Sequence, residues 1–206
     1  MGFIFAHLIF WLTLFLFGSY LLLGIHSALA LRKYLRKNSY VNYNSLVLSP
    51  LSPRITIIAP AFNEGKTIID NVRTLLSLYY NNFEVIIVND GSTDDTFTKI
   101  RDAYELVRVN YYFDYRIPCE RIRGVYRSKD PAYNRLTVID KNNGGKADSL
   151  NAGINISRSN LIVTIDADSI IEPDSILKLV KPFLEEKEKK VIGTGGVIRI
   201  VNSRDI

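Results

Sequence analysis

Apolar residues are distributed along this chain in three ways, and each predicts a different element. The first is an unbroken run. Residues 2–31 contain no Lys, Arg, Asp or Glu, and residues 3–23 are almost wholly apolar. A helix of that length crosses the roughly 30 Å hydrocarbon core of a bilayer. The second is a set of short runs at residues 54–59, 83–88, 136–141 and 161–165. Such runs, bounded by turn residues, read as strands buried on both faces, as in parallel sheets. The third is helical spacing. Ile68, Ile69, Val72, Leu75, Leu76 and Leu78 predict a helix over residues 66–79. Further helices are predicted over 95–107, capped by Thr93 or Asp94, over 146–152, stopped by Gly153, and from about Asp174 to Leu184. Residues 191–201 form a last apolar segment, broken at Gly193, Gly195 and Gly196. Strands and helices alternate, so the expected class is α/β with a mostly parallel sheet, preceded by one transmembrane helix. There is no internal repeat.

Polar residues divide the chain further. A cleaved signal peptide needs a basic start, a shorter apolar core and a small-residue cleavage site. The apolar run here is longer and has no basic start, so a retained anchor over residues 1–31 is expected. Arg32, Lys33, Arg36 and Lys37 follow at once. By the positive-inside rule this predicts a single-pass protein of the cell membrane with its carboxyl side in the cytosol. Residues 32–53 read as a basic juxtamembrane linker ending at Pro50 and Pro53, and residues 54–206 as the folded domain. Within that domain, residues 108–135 break the rhythm with seven basic residues and six aromatics. This composition fits an inserted hairpin near a membrane or a solvated loop. It also fits single-stranded nucleic acid, but nothing else in the chain supports that partner. Lys and Arg exceed Asp and Glu by 26 to 21, a net charge of +5 that suits an anionic substrate or a membrane surface. The single Cys119 cannot form an internal disulfide, which points to a reducing compartment. His7 and His26 lie in the apolar run and read as packing residues rather than ligands.

The candidate chemistry lies at the ends of the predicted strands. Asp166 and Asp168 close the run 161–165, one residue apart. In an extended chain both point to the same side, where their repulsion calls for a cation between them. Mg²⁺ or Mn²⁺ would suit oxygen ligands of this kind. The plainer alternative is that one of them caps the next helix. Asn63-Glu64 and Asn89-Asp90 end two other strands, and Asn142-Asn143-Gly144-Gly145-Lys146-Ala147-Asp148 opens a helix. In a parallel sheet all four clusters fall on the carboxyl edge, where ligands bind. Taken singly, Asn63 and Asp90 could be turn formers, and Lys146 and Asp148 a solvated helix start. The glycine pair is not a phosphate loop of the Walker type, and no Gly-x-Gly-x-x-Gly follows the first strand.

Together these residues closely resemble the family 2 glycosyltransferases, which have the Rossmann-like GT-A fold. The resemblance runs from about residue 55 to residue 201. It is carried by Ala59-Pro60-Ala61-Phe62-Asn63-Glu64, Val88-Asn89-Asp90-Gly91-Ser92-Thr93-Asp94, Gly144-Gly145-Lys146-Ala147-Asp148-Ser149-Leu150-Asn151 and Ile165-Asp166-Ala167-Asp168. With an anchor ahead, it points towards the membrane-bound synthases of chitin, cellulose, hyaluronan and poly-N-acetylglucosamine. The resemblance implies a UDP-sugar donor, a Mg²⁺ or Mn²⁺ ion, a glycan acceptor and inversion at the transferred sugar. It implies that Pro60, Ala61, Asn63, Glu64 and Asp90 hold the uridine. Lys146 and Asp148 would then border the nucleotide pocket, and Asp166 would lie by the ribose and diphosphate. Asp168, with Asp166, would bind the metal. The family's catalytic base and its Gln-x-x-Arg-Trp motif lie further on and are not found before Ile206. The expectation is therefore a donor half whose acceptor half is missing and whose catalytic base is unassigned. Two other readings stay open: a silent binding module that needs a second polypeptide, and a nucleotidyltransferase.

Overall fold

The structure, a computed structural model, describes residues 2–38, 52–166, 169, 171–185 and 190–196. The chain divides into two compact units, Met1–Tyr43 and Asn44–Ile206. The first contains one helix, α1 (Gly2–Asn38), of 37 residues. Over Gly2–Lys33 it is long and apolar enough to cross a membrane. Two of its polar side chains bond to the helix backbone. The Thr13 hydroxyl donates to Ile9 O at 2.9 Å and the Ser19 hydroxyl to Leu16 O at 2.8 Å. The helix runs on through residues 32–38, so the basic cluster lies on its last turns rather than in a linker.

The second unit is built on a six-stranded sheet. Its elements are β1 (Ile55–Ala61), α2 (Ile68–Leu76), β2 (Phe83–Asp90), α3 (Thr96–Ala103), β3 (Leu106–Val109) and β4 (Ile122–Ser128). A short 3₁₀ turn (Pro131–Tyr133), β5 (Leu136–Lys141), α4 (Lys146–Ile156), β6 (Leu161–Thr164) and α5 (Ser175–Leu184) follow. The strand order is β3-β4-β5-β2-β1-β6. β1 pairs in parallel with β2 and β6, and β2 in parallel with β5. Only β4 runs against its neighbours. The expected class, α/β with a mostly parallel sheet, is the one observed.

Register fixes where the site lies. Ala61 stands opposite Asn89, Asn89 opposite Asp140, and Asp90 opposite Lys141. The carboxyl ends of three strands are thus level. β1, β2 and β5 are buried along almost their whole length. On one face Ile58, Ile86, Val88, Val125 and Ile139 pack with Ala152 and Ile156 of α4. Alternation puts Ile57, Val85 and Ile87 on the other face.

Several elements depart from the sequence reading. β6 is not buried on both faces. It alternates between half-buried and exposed positions, with Ile162 38% exposed. The reason is position: among the described residues it pairs with β1 alone and forms the sheet edge. Gly153 does not stop α4, which continues to Ile156. A Cβ there would lie 2.5 Å from Ile58 Cγ2, so the glycine permits close approach of helix and strand. The helix expected over 95–107 ends at Ala103. Glu105, at φ 47°, turns the chain into β3. Of the basic and aromatic stretch 108–135, most forms β4 and a loop that packs inward. Tyr111, Phe113 and Cys119 lie against the α4 face of the core. Asn155 of α4 clasps the loop: its Oδ1 accepts the Arg116 and Ile117 amides at 3.1 and 3.0 Å, and its Nδ2 donates to Ile117 O at 2.8 Å. Residues 190–196 contain no helix or strand, and the rest of the expected apolar segment lies outside the described residues.

Candidate functional site

Two loops leave the carboxyl edge side by side. After β1, Pro60 and Ala61 end the strand and Asn63 takes a left-handed φ of 57°, a conformation that asparagine tolerates better than most residues. Its Oδ1 accepts the Thr93 amide at 2.9 Å, and its own amide donates to Ser92 Oγ at 3.0 Å. Glu64 starts α2. Its carbonyl accepts the Thr67 and Ile68 amides, and its carboxylate accepts the Thr67 hydroxyl at 3.0 Å. In the loop after β2, Asp94 accepts the Gly65 amide at 3.0 Å and the Thr96 amide at 2.9 Å. One carboxylate therefore joins the two loops and accepts the first amide of α3, while the N-cap position is Asp95 rather than the expected Thr93 or Asp94.

Asp90 is the centre of the second cluster. It is 3% exposed and Lys141 is fully buried. Asp90 Oδ1 accepts Lys141 Nζ at 2.6 Å and the Gly144 amide at 3.0 Å, and Oδ2 accepts the Gly145 amide at 2.8 Å. Asn143 Nδ2 donates to Asp90 O at 2.9 Å. Lys141 also reaches Asp148 Oδ1 at 2.5 Å and Asn142 O at 2.7 Å. Asp148 in turn accepts the Glu120 amide at 2.8 Å. Burial pushes the Asp90 carboxyl up, but Lys141 and the two glycine amides outweigh it and hold it below the usual carboxylate range. Burial likewise opposes the Lys141 ammonium, and Asp148 and Asp90 outweigh it, so lysine stays charged above its ordinary range. Two backbone conformations complete the loop. Gly91 has φ 65° and Gly145 φ 86°, and a Cβ on Gly91 would lie 2.7 Å from Asn143 N.

The third cluster joins α4 to β6. Lys146, the first residue of α4, pairs with Asp166, and both side chains are more than half exposed. An exposed carboxylate already holding a positive group is a fitting oxygen donor for a hard cation. Asp168 lies outside the described residues. Beside these clusters, Asp140 accepts Asn89 Nδ2 at 2.7 Å and Arg123 Nη2 at 2.5 Å. Burial pushes the Cys119 thiol up, which keeps it protonated at neutral pH and makes it a poor nucleophile. The cavity of about 320 Å³ lined by Ile69, Arg73, Leu76, Tyr104 and Tyr133 involves none of these residues.

The structure thus brings Asn63 to the loop that follows Asp90, Asp90 to Asp148, and Lys146 to Asp166. It turns Glu64 to its own helix start and leaves Pro60 and Ala61 as the end of β1. The residue that the sequence reading missed is Lys141. Its one signal was a charged residue closing the buried run 136–141, level with Asp90 once the strands pair.

Comparison with known proteins agrees with this layout. The chain is 29% identical over 144 residues to the glycosyltransferase GlyG of Streptococcus pneumoniae serotype 4. That alignment covers 69% of this chain and 39% of the relative. It is 30% identical over 152 residues to the poly-beta-1,6-N-acetyl-D-glucosamine synthase of Staphylococcus epidermidis, covering 74% of this chain and 30% of that one. The chain therefore spans well under half the length of these relatives. Among solved structures, the mannosyltransferase PcManGT of Pyrobaculum calidifontis superposes with a TM-score of 0.50 at 22% identity, over 79% of this chain and 42% of that one. That likeness concerns the fold. The model of the family described as Glycosyl transferase family 2 matches residues 56–117 and 120–205, well over half of the chain, and the protein belongs to that family.

Proposed function

We propose that the carboxyl edge of this sheet binds a UDP-sugar and that the domain serves inverting transfer of that sugar to a glycan hydroxyl. The observation that carries this reading is the joining of four strand-end loops at one edge, where open α/β sheets hold their ligands. In this reading the turn from Pro60 to Glu64, through Ala61 and Asn63, cradles the uridine, and Asp90 accepts a hydrogen bond from the base. Lys146 and Asp148 border the nucleotide. Lys146 is free to swing from Asp166 to a phosphate oxygen, since an exposed ion pair is held by about 1 kcal/mol or less. Asp166 and Asp168 would hold a Mg²⁺ or Mn²⁺ ion, which when bound neutralises charge on the diphosphate leaving group. PcManGT was solved with GDP-Man and Mn²⁺, and that pairing of nucleotide sugar and metal supports the same assignment here.

In the transfer, the acceptor oxygen forms a bond to the anomeric carbon, the bond from that carbon to the diphosphate breaks, and the hydroxyl proton passes to a base. No described residue is assigned as that base. A second polypeptide could supply it. In this reading α1 anchors the domain in the cell membrane as a single span, with the domain in the cytosol.

Calorimetry tests the donor reading. UDP binding should strengthen on adding Mn²⁺, and Asp168→Asn should abolish that gain while leaving metal-free binding in place. The same Mn²⁺ gain in Asp168→Asn would refute the metal assignment, and no UDP binding by the wild type would refute the donor reading.

A further inference from the structure

We infer that Lys141, which no ligand can reach directly, sets the nucleobase selectivity of this site by holding Asp90 in one position as a hydrogen-bond acceptor. The inference rests on the reading of Asp90 as the residue that meets the base. A lysine ammonium has three protons. Two are hydrogen-bonded, to Asp90 Oδ1 at 2.6 Å and Asn142 O at 2.7 Å, and Asp148 Oδ1 makes an ion pair at 2.5 Å. The ammonium is therefore held in place on three sides, and it is fully buried. It touches the ligand only through Asp90, which makes it a positioning residue.

Three donors reach Asp90 in good geometry: Lys141 Nζ and the Gly144 amide share Oδ1, and the Gly145 amide takes Oδ2. The fully buried Ser149 hydroxyl faces the same carboxylate and has no other partner. An ionised carboxylate offers about four acceptor positions, so the fourth goes to a base when the Ser149 hydroxyl turns aside. An ionised carboxylate can only accept. Uracil presents a ring N–H at its third position and can donate there. Cytosine presents a lone pair at the same ring position and meets the carboxylate with repulsion. Selectivity for uracil thus depends on Asp90 staying ionised and on Oδ2 being aimed by Gly145. Lys141 serves both needs. Its charge offsets the buried Asp90 carboxylate and the half-buried Asp148 carboxylate, which would otherwise face each other, and its bond to Asn142 O fixes the start of the loop that carries Gly144 and Gly145.

The test uses the full chain in detergent with Mn²⁺ and compares UDP with CDP in the wild type, Lys141→Met, Lys141→Gln, Lys141→Arg and Asp90→Ala. The wild type should prefer UDP by about tenfold or more, the value of one well-placed hydrogen bond against an unpaired group. Lys141→Met, of similar length and uncharged, should bring the UDP/CDP ratio to about one and weaken UDP about tenfold. Lys141→Arg should keep most of the ratio. A folded Lys141→Met with the wild-type ratio would overturn the inference. If Lys141→Met does not fold, Lys141→Gln decides: a folded glutamine variant that keeps the wild-type ratio overturns it. Asp90→Ala separates the two levels. If it binds UDP as the wild type does, the base-reading role of Asp90 fails and the inference falls with it. If it weakens UDP while Lys141→Met leaves the ratio intact, only the role of Lys141 fails.

Discussion

A lysine with no exposed surface, between two carboxylates, sets the residue-scale chemistry of this domain. Removing one partner of a buried charge cluster costs about 3–5 kcal/mol, because the others are left uncompensated. Lys141→Met should therefore lower stability by that amount in urea denaturation, and a loss below about 1 kcal/mol would show the cluster to be solvated. The pH dependence follows from the direction of each shift. Asp90 has a lowered folded pKa, so its contribution is complete above its unfolded value of about 3.9 and is lost as pH falls through the folded value. Lys141 has a raised folded pKa, so its contribution is complete below about 10.4 and is lost as pH rises beyond that. Denaturation midpoints should be level for this pair between about pH 5 and 9. The acid fall should shrink in Asp90→Asn and the alkaline fall in Lys141→Met. A wild-type midpoint that already declines between pH 7 and 9 with this pair intact, and not in Lys141→Met, would contradict the raised lysine. Asp90 and Asn63 were readable as candidates because polar residues after apolar runs mark strand ends, and Asp148 because the polar stretch 142–148 opens a helix. Lys141 was not, because a lysine closing a strand looks like a surface residue until the pairing of β2 with β5 sets it level with Asp90 and encloses it.

At the scale of elements, apolar pattern predicted which segments pair and tertiary packing decided where they stop. β1, β2 and β5 follow their buried runs closely. α4 shows the limit: glycine is a frequent helix terminator, yet Gly153 sits inside the helix because Ile58 leaves no room for a side chain. Gly153→Ala gains up to about 1 kcal/mol in helix propensity but drives a methyl into a rigid β-branched residue, a cost of about 1–3 kcal/mol. A net loss of stability is expected, and a stabilised variant would mean that helix and strand separate easily. The inward packing of the loop between β3 and β4 was not legible either, since its partners on α4 are more than thirty residues away in sequence. Asn155→Ala should cost about 1–3 kcal/mol by leaving the Arg116 and Ile117 amides unpaired. Limited proteolysis should then cut within 110–121 faster than in the wild type, and an unchanged rate would show that the core contacts of Tyr111 and Phe113 suffice. The edge strand β6 departs from its predicted burial for the same reason of context: a run of apolar residues does not reveal whether one neighbour or two will flank it.

For the whole molecule, the sequence pattern leads to two units, an apolar helix long enough to cross a membrane and a sheet whose carboxyl edge gathers loops from β1, β2, β5 and β6. The chain belongs to the glycosyl transferase family 2. The basic residues that end α1 place the domain in the cytosol in the proposed arrangement. Protease added to intact cells should leave it uncut, and cleavage there would reverse the orientation. The central claim is that a nucleotide base lies between the loops after β1 and β2, next to Asp90. Photolabelling with 5-azido-UDP in the presence of Mn²⁺, followed by mass spectrometry of the peptides, tests it most directly. The label should fall on peptides that contain residues 60–66, 90–94 or 142–146 and should disappear when excess UDP competes. Label that UDP displaces from the helices lining the cavity at Arg73, Tyr104 and Tyr133, with none at the carboxyl edge, would contradict it.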